Sequence, residues 1–257
     1  MVSEIMVEAR GLAVGWSEDQ RLLEDASFQI ARGEIFGILG GSGCGKSTLL
    51  RYLIGLEEPL AGTVEHMGEP IGVIEGRKPR FGAMFQSGAL FGSMTVLENV
   101  VLPLRTWTDL SKADAADQAF EKLRLVGLEA AADKQPSELS GGMKKRAAIA
   151  RALALDPPLL FLDEPSAGLD PVTSASLDDL IQQLSRDLGV TVVIVTHELE
   201  SIFAIIDRVI MLDKETRSII ANGAPKELKA SADERVFAFF NPRSPRAPAG
   251  KRQAATV

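Results

Sequence analysis

Hydrophobic positions along this 257-residue chain gather into short, dense runs. Residues 34–39 carry Ile35, Phe36, Ile38 and Leu39 in close succession and end in glycines, after which residues 46–56 are compatible with a helix. Residues 159–162 and 191–196 are continuous apolar runs bounded by polar residues, the second rich in β-branched side chains. Runs of that kind predict strands covered on both faces, as in a parallel sheet with helices on either side. Residues 94–155 read mostly as helix, with Ala116, Phe120, Leu123 and Gly127 expected on one face. Before residue 34, and over residues 62–81, short alternating segments punctuated by Gly and Pro predict small antiparallel strands in a side sheet. From Asn241 onward the chain holds three prolines, four basic residues and no acid, so residues 241–257 are expected to be a flexible basic tail. No internal repeat is visible.

Composition narrows the classes. At 46% hydrophobic and 25% charged, the chain reads as ordinary globular protein able to bury a sizeable core. The single cysteine, Cys44, excludes an intrachain disulfide and gives no sign of an oxidising compartment. The opening residues MVSEIMVEAR contain acids and no apolar core of leader length. No run approaches the roughly 20 apolar residues that span a bilayer, so the expectation is a chain neither exported nor membrane-spanning. A net charge of −7 disfavours a broad electrostatic grip on nucleic acid, which is not an expected partner.

Three constellations carry chemistry. Gly40, Gly41, Ser42, Gly43, Cys44, Gly45, Lys46 and Ser47, with Thr48 following, match the phosphate-binding loop G-x-x-x-x-G-K-[ST] between an expected strand and an expected helix. The glycines let backbone N–H groups converge on phosphate oxygens, and the helix end adds its dipole. Lys46 is then expected to reach the β- and γ-phosphates and Ser47 to ligate Mg²⁺. In such a loop Cys44 reads as a space-filling position rather than a redox switch. The apolar run 159–162 ends in Asp163 and Glu164, placed to hold Mg²⁺ through water and to polarise an attacking water. Leu139, Ser140, Gly141, Gly142 and Met143 precede Lys144, Lys145, Arg146 and a helix-like run. Ser140 suits an N-cap and the glycines allow close approach, so a second anion-binding helix end stands in the same chain. One phosphate chain cannot easily use both ends from one subunit.

From Val7 to about Phe240 the chain resembles the ATP-binding cassette family, whose signature is usually Leu-Ser-Gly-Gly-Gln. The resemblance implies an α/β P-loop (RecA-like) core with an antiparallel side sheet, forming one domain over residues 1–240 with a helical subdomain inserted at about 87–155. It implies ATP and Mg²⁺ as ligands, with two cassettes sandwiching two ATP molecules. Ser140, Gly141 and Gly142 would then contact the nucleotide of the partner subunit. Gln86 sits where the family's glutamine senses Mg²⁺ and the permease, His197 where a switch histidine meets the γ-phosphate, and Asp170 closes a loop resembling the one that communicates across the dimer. Trp16 lies where the family stacks an aromatic on adenine, though a Trp near a strand end also serves as core packing. His66 has no motif around it and reads as a surface or turn residue. Met143 departs from the usual glutamine and removes a hydrogen-bonding side chain.

Phe85, Gln86, Ser87, Gly88, Ala89, Leu90 and Phe91, together with Met143, look like the ATPases of MCE-type (Mla-like) phospholipid transport systems. Ala89, Leu90 and Phe91 either offer an apolar socket to a permease helix or belong to the helical core. The resemblance implies a homodimer on the cytoplasmic face of the inner membrane, partnered by permease subunits, an MCE-domain lipid-binding protein and a small regulatory subunit. A small-solute importer shares every motif and stays open as the alternative. The basic tail admits contact with anionic headgroups or plain solvation.

Overall fold

The computed structural model describes residues 4–17, 19–71 and 78–242. The tail expected from residue 241 lies outside them, apart from Asn241 and Pro242. In chain order the strands are β1 Ile5–Gly15, β2 Arg21–Ala31, β3 Ile35–Gly40, β4 Ala61–His66, β5 Glu69–Pro70, β6 Phe81–Met84, β7 Leu159–Asp163, β8 Thr191–Val195, β9 Arg208–Asp213 and β10 Ser218–Gly223. The helices are α1 Lys46–Leu53, α2 Val96–Trp107, α3 Lys112–Leu125, α4 Gly141–Ala152, α5 Pro171–Leu188, α6 Leu199–Ile205, α7 Pro225–Leu228 and α8 Glu234–Phe240.

Two sheets result. The larger runs β10-β9-β3-β8-β7-β6, and every neighbour pair except the edge strand β10 is parallel. The smaller, β2-β1-β4-β5, is antiparallel throughout. The continuous apolar runs of the large sheet follow from its position between two cores. Phe36 and Ile38 of β3, Leu159 and Phe161 of β7, and Val193 and Val195 of β8 face α1 and the side sheet. Their sequence neighbours Ile35, Leu39, Leu160, Leu162, Val192 and Ile194 face the helices. Because side chains alternate across a strand, a strand covered on both faces needs an apolar residue at every position.

Helices α2 to α4 lie between β6 and β7 in the chain, and α4 packs directly on β6. A Cβ on Gly82 would sit 2.1 Å from the carbonyl oxygen of Ala152, so only glycine admits that approach. Thr95 opens α2 with a capping box, its hydroxyl accepting from Glu98 N–H while Glu98 accepts from Thr95 N–H. The buried face of α3 is Ala115, Ala119 and Leu123. That is one residue out of phase with the expected set, for Phe120 is exposed and Gly127 lies in the turn after the helix. Asn99, fully buried on α2, accepts from Phe91 N–H and donates to the carbonyls of Phe91 and Thr95, tying down the loop that follows β6. Arg208 joins the two sheets, pairing with Glu34 and donating to the Gln29 carbonyl from a position over the Phe36 ring.

His66 corrects its expectation. It is buried at the end of β4, stacked on Phe161 with Phe81 edge-on, and its Nε2 lies 2.9 Å from the Leu53 carbonyl. Burial lowers its pKa to about 4, which keeps the ring neutral.

Candidate nucleotide site

The phosphate loop joins β3 to α1 and needs glycine for two separate reasons. At Gly40 (φ 144°) a side chain would meet the Leu212 carbonyl and the Cys44 sulfur. Gly45, at φ 96°, sits in the left-handed region immediately before α1 and caps it with no side chain, leaving the first N–H groups of the helix free for an anion. Lys46 folds back over the loop, its Nζ donating to the carbonyls of Gly40 and Gly41 at 3.0 and 3.1 Å. Cys44 is buried inside the loop and does not line the cleft, and that burial raises its thiol pKa.

Around the loop opens a cleft of about 620 Å³. Its walls are Gly40, Gly41, Ser42, Gly43, Gly45, Lys46, Ser47, Thr48, Gln86, Glu164, His197 and Phe239. Three distant segments thus supply Gln86 after β6, Glu164 after β7 and His197 after β8, because parallel strands deliver their C-terminal ends to one edge of the sheet. Asp163 lies just behind the wall and accepts from Ser47 Oγ at 3.0 Å. Its burial raises the carboxyl pKa, while the Ser47 bond and the Lys46 and Lys145 charges pull it down. Glu164 stands at φ 48°, a left-handed conformation rare for a residue with a side chain. One carboxylate oxygen, Oε1, lies 2.8 Å from His197 Nδ1; the other, Oε2, is buried with no hydrogen-bond partner among the described residues. A buried carboxylate oxygen lacking a donor, set beside a cleft lined with free N–H groups, is arranged for a water or a ligand to complete it.

The structure separates the remaining candidates from this cleft. Ser140 caps α4, its Oγ accepting from Met143 N–H at 3.3 Å, and the helix start is solvent-facing at Ser140 and Gly141. Neither these residues nor Gly142 lines the cleft of their own chain. Asp170 caps α5, accepting from Val172 and Thr173 N–H groups and from the Thr173 hydroxyl. Those bonds hold its carboxyl pKa below the usual range. Trp16 is 62% exposed beyond the end of β1, which removes the core-packing alternative. It is not part of the cleft wall, but Tyr52 of α1 donates to the carbonyl of the adjacent Gly15 at 2.7 Å and so fixes that strand end against the helix that follows the phosphate loop. Phe91 is half exposed rather than core. Tyr52 and Phe239 carry no motif, and nothing local in the sequence singles them out.

A phosphate-loop core with an acid pair at the end of a neighbouring strand and a second helix N-terminus facing outward defines a nucleotide-hydrolysing cassette. The sequence pattern of the family described as ABC transporter matches residues 23–167, and the chain belongs to that family. It is 42% identical over 226 residues to the intermembrane phospholipid transport system ATP-binding protein MlaF of Escherichia coli K12, covering 86% of this chain and 83% of that protein. It is 39% identical over 241 residues to the probable ribonucleotide transport ATP-binding protein mkl of Mycobacterium leprae, covering 92% and 68%. Identity reaches 43% over 215 residues with the methionine import ATP-binding protein MetN of Clostridium tetani, covering 82% and 67%. Among solved structures, cbiO1 of Clostridium perfringens, part of the ABC transporter complex cbiONQ, superposes with a TM-score of 0.79 at 30% identity, covering 95% of this chain and 97% of that one. The ATP-binding cassette MJ0796, solved as a dimer bound to ADP and Pi, gives 0.75 at 31% identity, covering 85% and 98%. The chain is the ATP-binding, ATP-hydrolysing subunit of an ABC transporter. No helix among the described residues is long and apolar enough to cross a membrane.

Proposed function

We propose that this subunit energises the movement of lipid, most specifically phospholipid, between membranes, working as a homodimer beneath a separate permease and with an MCE-domain lipid-binding partner and a small regulatory subunit. The support is the match to MlaF over most of both chains, and the setting of residues 86–91. There Ala89 takes a left-handed turn, Asn99 and Arg151 hold the backbone, and Phe91 projects into solvent at the end of the segment that begins at Gln86, as a docking surface for a permease helix requires. The place of work is the cytoplasmic face of the inner membrane. The similarity to MetN favours a second reading, a small-solute importer with the same catalytic parts. Affinity purification from gently solubilised membranes, followed by mass spectrometry of proteins and lipids, separates the two. An MCE-domain protein with phospholipid supports the first reading; a solute-binding protein replaces it with the second.

In each half of the ATP sandwich, Lys46 and the loop N–H groups hold the phosphates from one subunit. The α4 terminus at Ser140, Gly141 and Gly142 holds them from the other, and Asp170 lies near the joint between subunits. Trp16 stacks on the adenine. Ser47, Asp163 and Gln86 suit Mg²⁺, which prefers few protein oxygens together with phosphate and water; the Ser47–Asp163 pair already brings two such donors together. Bound there, the ion neutralises phosphate charge. Glu164 orients the attacking water through its unpartnered oxygen, and His197 holds the carboxylate in place and faces the γ-phosphate. Glu164→Gln keeps size and shape but removes the charge. Turnover is expected to fall by at least ~10²-fold with nucleotide binding retained; near-normal hydrolysis would remove Glu164 from this role.

A further inference from the structure

We propose that Lys145 is a positioning residue for hydrolysis, clamping the backbones of Gln86 and Glu164 to the helix that begins at Ser140. Lys145 lies in the second turn of α4 and is only 8% exposed, whereas Lys144 and Arg146 beside it are partly exposed. Its Nζ donates to the Gln86 carbonyl at 2.6 Å and to the Glu164 carbonyl at 2.9 Å. Both hydrogen-bond acceptors are main-chain oxygens, so this buried ammonium serves as a donor with fixed direction, while its charge also acts on the nearby Asp163 and Glu164 carboxylates. An apolar side chain would fill the same space without the desolvation cost of a charge, which places the value of the lysine in what it holds.

What it holds is the pair of segments that aim the reacting groups. Glu164 sits in a left-handed conformation that its neighbours must enforce. Its N–H is tied to the Val195 carbonyl at 2.8 Å, and its own carbonyl is held by Lys145. Rotation of that peptide would swing the carboxylate away from His197 and from the cleft. On the other side, Arg151, two turns further along α4, donates to the carbonyls of Gly88 and Ala89 at 2.8 and 2.7 Å. One helix therefore carries two cations that together grip residues 86–89, and the first of them grips Glu164 as well. In the sandwich proposed above, on which this consequence rests, the free end of α4 meets the nucleotide of the partner subunit. Lys145 then ties the contact made at one nucleotide to the alignment of Gln86 and Glu164 at the other.

The test is steady-state ATPase activity of the full chain with its membrane partners, with kcat and KM separated, for Lys145→Met, Lys145→Gln, Lys145→Arg and the neighbouring Lys144→Met. Affinity is read in parallel by titration with a fluorescent ATP analogue. Lys145→Met is expected to lower kcat at least ~10-fold, since small misplacements of catalytic groups cost that much or more, while affinity and KM stay within about twofold. Lys145→Arg, which keeps donors and charge, recovers part of the loss, and Lys144→Met is unchanged. Turnover of Lys145→Met within about twofold of the parent, or a fall matched by an equal loss of affinity, would overturn the clamp. Should Lys145→Met not fold, Lys145→Gln is judged by the same thresholds, because its shorter amide cannot span both carbonyls. Glu164→Gln serves as the reference. Normal turnover there removes the reading of Glu164, whereas a dead Glu164→Gln beside a fully active Lys145→Met removes only the clamp.

Discussion

Replacing Gly142 by alanine sets two opposing effects against each other. Gly142 is the second residue of α4, and alanine there gains up to about 1 kcal/mol of helix propensity. The added Cβ, however, would stand 2.5 Å from Thr173 Cγ2, well inside contact distance. Thr173 cannot simply turn away, because its hydroxyl donates to Asp170 Oδ2 at 2.5 Å and its N–H to Asp170 Oδ1 at 3.1 Å. Rotation forfeits a hydrogen bond to a charged acceptor, about 1.5–3 kcal/mol. Keeping the rotamer instead forces α4 and α5 apart at an overpacking cost of about 1–3 kcal/mol. Taking about 2 kcal/mol for either route and subtracting up to about 1 kcal/mol of propensity gain leaves about 1–2 kcal/mol of destabilisation, or a fall in Tm of about 2–8 °C for a chain of this size. Thermal unfolding without nucleotide, followed by circular dichroism, measures it. Thr173→Ser retains the hydroxyl and deletes the clashing methyl, so the Gly142→Ala/Thr173→Ser pair should regain most of the loss. A Gly142→Ala protein as stable as its parent, or a double variant no better than the single, would show that the approach of α4 to α5 is not what demands glycine here.

Two further outcomes follow from the site and the core. Lys46→Ala removes the donor poised over the phosphate loop and should weaken nucleotide affinity at least ~10-fold in a fluorescent-analogue titration, the size of one lost charged hydrogen bond; unchanged affinity contradicts its assignment. His66, with a folded pKa of about 4 against 6.5 in the open chain, contributes stability that is fully present above 6.5 and lost as pH falls toward 4, because the unfolded chain takes up a proton the folded core refuses. The loss reaches about 3 kcal/mol, and His66→Gln should flatten that part of the pH dependence of the urea midpoint; a parallel profile for the two proteins removes the effect.

Reading the chain alone located the parts whose chemistry is local. The phosphate loop, the acid pair after β7 and the capped start of α4 are each built from a handful of consecutive residues, and the doubled cores explain why the sheet strands read as unbroken apolar runs. The misreadings have physical causes. On α3 the expected face ran through Ala116 and Phe120, yet helix packing there uses Ala115 and Ala119, whose small side chains let α2 and α4 come close. His66 looked like a surface residue because its partners Phe161 and Leu53 lie on other elements. The same holds for Tyr52 against Gly15, Phe239 at the cleft wall and Lys145 beneath Gln86: each acts through a contact that only the fold creates.

The strand order has a consequence for how the chain comes to exist. β3, which leads into the phosphate loop, pairs with β8 and β9 and, among the described residues, with no earlier strand. Loop-closure entropy must be met across the long stretch between Gly40 and Thr191 before those pairings form, so they belong among the late events of folding. While the chain is still being synthesised, the strand carrying the loop has nothing to pair with until residues 191–213 have emerged. An apolar strand left waiting is open to association with other chains. Nascent chains halted after α5 should therefore depend on chaperone cover and fail to retain ATP, whereas chains extended through β9 should acquire both independence and nucleotide together.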